Sequence, residues 1–229
     1  MTPFNPLDKQ NLAISIANAL DEAEPVALDK LERFEGAGVY AIYYLGEFLA
    51  YRPTAECNRV VLNYPIYVGK ASSKGARKGA FDAAEPSGAP LYNRLRQHSR
   101  SIEQAVNLDI SDLFCKYLVV DDLWVALGES LLIARHAPIW NVLVEGFGNH
   151  DPGSGRHAGM RPKWDTLHPG RLWADQLRPN AMSAQQIHDE ALNYLVERYE
   201  GISYTFSDSA LKLRRQDDKA RRDKPFGRV

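Results

Sequence analysis

Cysteine, long apolar runs and net charge are all scarce in this chain, and each shortage excludes something. Only Cys57 and Cys115 are present, too few for the disulfide framework of a small secreted domain. A reducing, cytoplasmic setting is therefore expected. No apolar stretch approaches the ~18–20 residues that a bilayer crossing needs, so no membrane partner is expected. The opening Met1-Thr2-Pro3-Phe4-Asn5-Pro6 has neither the charged nor the apolar region of a signal peptide. The 28 basic residues nearly cancel the 29 acidic ones, which at first argues against nucleic acid, whose partners are usually basic. What is present is the composition of a globular protein, with 45% hydrophobic residues, more than a disordered chain carries.

The charge is segregated rather than absent. Residues 1–35 hold seven acids against three bases. In residues 66–100 the balance reverses: Lys70, Lys74, Arg77, Lys78, Arg94, Arg96 and Arg100 face only Asp82 and Glu85. Residues 101–145 are acidic again, and 212–229 carry eight bases against three acids. A whole-chain sum hides this pattern. A charge run is often no more than a solvated face. The 66–100 block matters more because it overlaps the residues with chemistry.

Residues 8–33 read as one or two helices, with Leu12, Ile14, Ile16, Ala19 and Leu20 apolar. Val39–Leu45 is β-branched and aromatic and reads as a strand. Tyr40, Ile42 and Tyr44 share one of its faces, and Val39, Ala41 and Tyr43 the other. A second strand is predicted over Tyr64–Val68, stopped by Gly69. Residues 71–90 read as a long loop, a feature that usually binds something. Leu91–Ile102 has helical spacing and places Arg94 and His98 one turn apart on one face. A third strand, Phe114–Val120, precedes a helix over Leu123–His136 that Pro138 ends. A Gly-rich stretch follows, from Gly146 to Gly153. Ser183 and Gln186 form a capping box ahead of Ile187, Ala191, Tyr194 and Leu195, and Gly201 closes that helix.

The polar groups at the ends of this β-β-α-β-α unit are Tyr40, Tyr67, Lys70, Arg94, His98, Glu129 and Asn141. No paired carboxylates, zinc-spaced Cys/His cluster, nucleophile elbow or Walker loop accompanies them. Asp217-Asp218-Lys219 has an acid-x-Lys spacing, but it lies in a polar tail. Gly38-Val39-Tyr40 and Tyr67-Val68-Gly69-Lys70 resemble the two motifs that name the GIY-YIG nucleases. The resemblance continues through Arg94, His98, Glu129 and Asn141 and covers about residues 36–145. Through Gly146-Phe147-Gly148-Asn149-His150 it is similar to the branch of type II restriction endonucleases that cut GC-rich, CCGCGG-type palindromes. Three departures stand out. Val39 and Val68 replace isoleucines, the two tyrosine motifs are 27 positions apart, and His98 stands where repair-type members have tyrosine. The last two fit the restriction branch.

The resemblance implies an α+β fold: a small three-stranded antiparallel sheet flanked by helices, with helical N- and C-terminal extensions. It divides the chain into an extension over 1–35, a catalytic core over 36–145, a DNA-contact and dimerisation extension over 146–211, and a basic tail over 212–229. It implies a sequence-specific double-stranded DNA endonuclease, working as a homodimer on a palindrome and paired with a cognate DNA methyltransferase. Glu129, the only acid in the set, would hold one Mg²⁺, with Mn²⁺ able to substitute. Arg94 would neutralise phosphate charge. Tyr40 could take a proton from the attacking water if a cation, Lys70 or the metal, lowers its pKa. Tyr67 would hydrogen-bond water or phosphate. His98 could orient Tyr40 or the water, or act at the phosphate. Asn141 would fix Glu129 or the backbone. Lys74, Arg77, Lys78, Arg96, Asn149, His150 and Arg156 are the candidates for DNA contact. The alternatives are a repair or homing nuclease, or a non-catalytic DNA-binding module on the same scaffold.

Overall fold

A computed structural model describes residues 8–73, 88–153 and 158–199. Lys74, Arg77, Lys78, Arg156, Gly201 and the tail 212–229 lie outside these residues. The sheet has four strands, one more than expected: β1 (Val26–Ala27), β2 (Gly38–Tyr44), β3 (Tyr67–Ala71) and β4 (Leu113–Val119). Their order is β1-β4-β2-β3 and every pairing is antiparallel. The extra strand comes from the N-terminal segment and pairs Val26 with Cys115. Two residues are too short to carry a period-2 pattern, so no sequence signal marks it.

β2 is central, and all seven of its residues are buried. Its alternation sorts two cores as the sequence predicts. Tyr40, Ile42 and Tyr44 join Leu91, Leu95 and Ile102 of α3 (Pro90–Gln104) in the larger core. Val39, Ala41 and Tyr43 join Val125 and Leu132 of α4 (Asp122–His136), with Ala17 and Leu20 of α1 (Lys9–Glu22). The sheet is thus covered on both faces. Asp121 caps α4 by accepting from the Leu123 N–H, and Ala137 ends it in the left-handed region at φ 36°.

β3 begins three residues later than the sequence suggests and runs through Gly69. Pro65 has no N–H for a ladder, and the Asn58 side chain bonds both the N–H and the C=O of Tyr64. Asn58 belongs to α2 (Arg52–Val60), a helix the sequence left unassigned. Beyond α4 come three short helices, α5 (Ile139–Val142), α6 (Lys163–Leu167) and α7 (Leu172–Asp175), and then α8 (Ala184–Tyr199). The predicted capping box precedes α8. The Ser183 N–H donates to Gln186 Oε1 at 2.8 Å, and the Gln186 N–H to Ser183 Oγ at 3.2 Å.

Candidate active site

The register of β2 on β3 builds the centre. Tyr40 sits opposite Gly69, and a Cβ at Gly69 would collide with the Tyr40 phenol. Glycine there lets the Tyr40 ring lie over its neighbour strand. Tyr67 points to the same face two residues earlier, and the two rings are 6.2 Å apart. Lys70 points to the opposite face, toward α4, where Nζ lies 2.7 Å from Glu129 Oε2. The site therefore wraps around the edge strand β3, with phenols on one side and the ion pair on the other.

α3 supplies Arg94 and His98 one turn apart. The Tyr40 hydroxyl and His98 Nε2 are 2.6 Å apart and fully enclosed. Burial holds the Tyr40 phenol well above its ordinary pKa, and the Tyr67 phenol adds to this. Burial and then the Arg94 charge hold His98 well below its ordinary value. Both groups are neutral near pH 7. Lys70, the side chain expected to lower the Tyr40 pKa, is instead paired with Glu129 on the other face of β3, and burial prevails over the opposing Arg94 charge. The Tyr67 phenol is likewise raised by burial, with Arg94 opposing.

Asn141 does not reach Glu129. Its Oδ1 accepts from the Val68 N–H and its Nδ2 donates to the Val68 C=O, both at 2.8 Å. This double bond replaces a ladder partner that edge strand β3 lacks on that side, and it fixes the backbone between Tyr67 and Gly69. Of the two roles open to Asn141, the structure selects the backbone one.

Arg94 is held by the Gly-rich turn. Nη2 donates to the Gly148 C=O at 2.9 Å, and Nη1 lies 2.7 Å from His150 Nε2 and 3.2 Å from Gln97 Oε1. Burial, then Arg94, lower the His150 pKa, so the ring accepts from the guanidinium. A Cβ at Gly148 would stand 2.7 Å from Tyr67 Oη and 3.1 Å from Arg94 Nη2. Phe147 stacks on His98 with centroids 4.4 Å apart. Asn149 borders a groove beside the site, whereas Arg96 does not line it.

Sequence reasoning missed what fixes this turn. Arg171 is 2% exposed and donates through all five of its N–H groups. Nε and Nη2 form a fork to Asp165 at 2.6 Å each. Nη2 also reaches the Gly146 C=O, and Nη1 reaches those of Phe147 and Asn149. The guanidinium lies over the rings of Trp164 and Trp173, 4.5 and 4.8 Å from their centroids. No residue spacing could reveal this, because three of its partners are backbone carbonyls.

The fit to a metal rests on Glu129. Its carboxylate is one-fifth exposed, and among the described residues only Lys70 bonds it, through Oε2. No described cluster holds three or more acidic, histidine or cysteine ligands. One hard oxygen donor open to solvent fits a single hard divalent cation whose remaining positions go to water and phosphate oxygens.

A family model described as the Eco29kI GIY-YIG domain matches residues 32–195. That span takes in every element from β2 to α7 and most of α8. No curated protein matches the chain. No described helix is long and apolar enough to cross a membrane.

Proposed function

Because the chain belongs to the Eco29kI GIY-YIG family, a type II restriction endonuclease family of DNA-cutting hydrolases, we propose that it cuts double-stranded DNA at a GC-rich palindrome, using one Mg²⁺ per site. The observation that carries this reading is the convergence of Tyr40, Tyr67, Arg94, His98 and Glu129 around one strand edge. Mn²⁺ can replace Mg²⁺, since the single carboxylate imposes no strict geometry. GIY-YIG nucleases generally need a divalent metal. Bound at Glu129, it would supply charge neutralisation at the phosphate and a more acidic water.

The residues of the chain do the rest. Arg94 exchanges His150 and the Gly148 C=O for non-bridging phosphate oxygens, a charge-assisted contact that strengthens as negative charge builds. Tyr67 hydrogen-bonds the same phosphate or the attacking water. Tyr40 keeps its proton at rest, so it cannot act as a standing phenolate. It works as a relay: its oxygen takes the water proton while its own proton passes 2.6 Å to His98 Nε2. Arg94 is the largest charge holding His98 in its neutral form. Phosphate binding offsets that charge and raises the basicity of His98 when the proton must be accepted. Lys70 holds the Glu129 carboxylate in place.

Residues 1–35 and 146–211 act as dimer and clamp elements around the core. Asn149, His150 and Arg156, with Lys74, Arg77 and Lys78, contact DNA. A cognate methyltransferase protects the host's own sites. The test is supercoiled plasmid with Mg²⁺. Discrete fragments are expected, and Glu129→Gln should leave the plasmid intact while still binding it. A smear would point to a nonspecific nuclease. Binding without any cutting by the unaltered protein would favour the non-catalytic scaffold.

A further inference from the structure

A groove runs from Arg94 along α3 to Gln104, walled on its other side by Phe147–Asp151, Arg171 and Trp173. Its mouth is the candidate active site. Most of the residues that line it are polar, and its charge is lopsided. Arg94 is engaged by the Gly-rich turn, and Arg171 is consumed by Asp165 and three carbonyls. Asp151 is the one acid in the lining, and it accepts from the Gly153 N–H. Arg100 is different. It is exposed, and among the described residues it has no hydrogen bond or ion pair. Ser101, Gln104 and Asn149 border the same groove with side chains that make no hydrogen bonds among the described residues.

An unpaired guanidinium beside uncommitted hydroxyl and amide groups suits a phosphodiester anion, which offers acceptors and no donors. Six residues of helix separate Arg100 from Arg94, a rise of about 9 Å. With the roughly one-third of a turn that also separates them, this places the second cation beyond reach of the phosphate Arg94 would hold, where a neighbouring phosphate of the same strand can meet it.

We infer that this groove is a second phosphate subsite, in which Arg100, flanked by Gln104 and Asn149, binds the DNA backbone beyond the scissile phosphate. The inference rests on the nuclease reading for the identity of its ligand. Arg100 touches a non-reacting phosphate, so it serves positioning and affinity rather than the chemical step.

The test measures binding apart from cutting. A fluorescein-labelled 24-base-pair duplex of arbitrary sequence is titrated without divalent metal at several salt concentrations. Arg100→Gln should weaken binding about fivefold to tenfold and lower the slope of log affinity against log salt by about 0.9, one lost phosphate contact. Arg52→Gln removes the same charge from α2, outside the groove, and should cost far less. On a plasmid that the protein cuts, Arg100→Gln should raise KM and leave kcat within about twofold. Wild-type affinity and slope for Arg100→Gln, or equal losses for the two variants, would overturn the subsite. A protein that binds with this pattern but never cuts would sink the nuclease reading and leave the subsite standing.

Discussion

At the residue scale, the buried Tyr40–His98 pair decides how a proton leaves the site. A phenol held above its ordinary pKa and an imidazole held below its own are both neutral, so neither carries charge into the core at rest. Tyr40→Phe removes the relay oxygen and keeps the ring. It should lower kcat by roughly 10²–10⁴ with little change in DNA affinity. Activity within tenfold of wild type would exclude Tyr40 from proton transfer. The same burial has a cost in acid. His168, enclosed between Tyr51 and Asn107, is pulled down to about 3 by burial and then by Arg171. Unfolded, either histidine would titrate near 6.5. Both folded values are depressed, so below about pH 6.5 the unfolded chain takes up protons that the native state refuses. Stability is then lost as pH falls through that value and keeps falling toward the folded pKa. The expected loss between pH 7 and 5.5 is roughly 2 kcal/mol for the two together. Urea denaturation at the two pH values measures it, and a flat profile would mean the rings are not buried neutral.

At the scale of elements, the turn from Gly146 to Asn149 is the hinge between scaffold and chemistry. One side of it presents the Gly148 C=O to Arg94 and Phe147 to His98; the other is gripped by the Arg171–Asp165 pair. Arg171→Met leaves a buried carboxylate alone and should cost about 3–5 kcal/mol, as should Asp165→Leu. The double variant should cost clearly less than their sum, because no unpaired charge remains. Strict additivity in urea melts would deny the coupling. What sequence could show at this scale depended on length and periodicity. β2, β4, α3, α4 and α8 are long enough to display a repeat of 2 or 3.6, and their boundaries fall within a few residues of the sequence reading. β1 is two residues long and displays none, and α2 is a nine-residue helix whose first-turn Pro53, a start signal, was not read as one. Tyr40, Arg94, His98 and Glu129 were legible because they sit on those long elements, whereas Tyr67, Lys70 and Asn141, on β3 and α5, were legible through the motif resemblance. Arg171 was not, since its role is defined by carbonyls and by two tryptophan faces brought together only in the fold.

At the scale of the whole molecule, near-zero net charge conceals a division of labour. The acidic segment 101–145 contributes Glu129, while the basic segment 66–100 contributes Lys70 and Arg94. Their meeting at one strand edge concentrates positive charge where a phosphate must go, and acids elsewhere limit indiscriminate attraction to DNA. That edge offers one carboxylate, one arginine and one relay, enough for one strand. On the proposed reading, both strands of a palindrome are cut by two chains related by a two-fold axis that matches the symmetry of the DNA. The proposed homodimer follows from this count of groups per chain. Sedimentation with a short duplex carrying the cut site should give two chains per duplex, and one chain per duplex would refute the dimer. The sharper consequence is kinetic. Mixing wild-type protein with excess Glu129→Gln forms hybrid dimers with one competent site. These should convert supercoiled plasmid to nicked circles and stall there, whereas wild-type dimers continue to linear product. Linear DNA at the wild-type rate from the mixture would mean that one chain cuts both strands in turn, which overturns the pairing of one site with one strand.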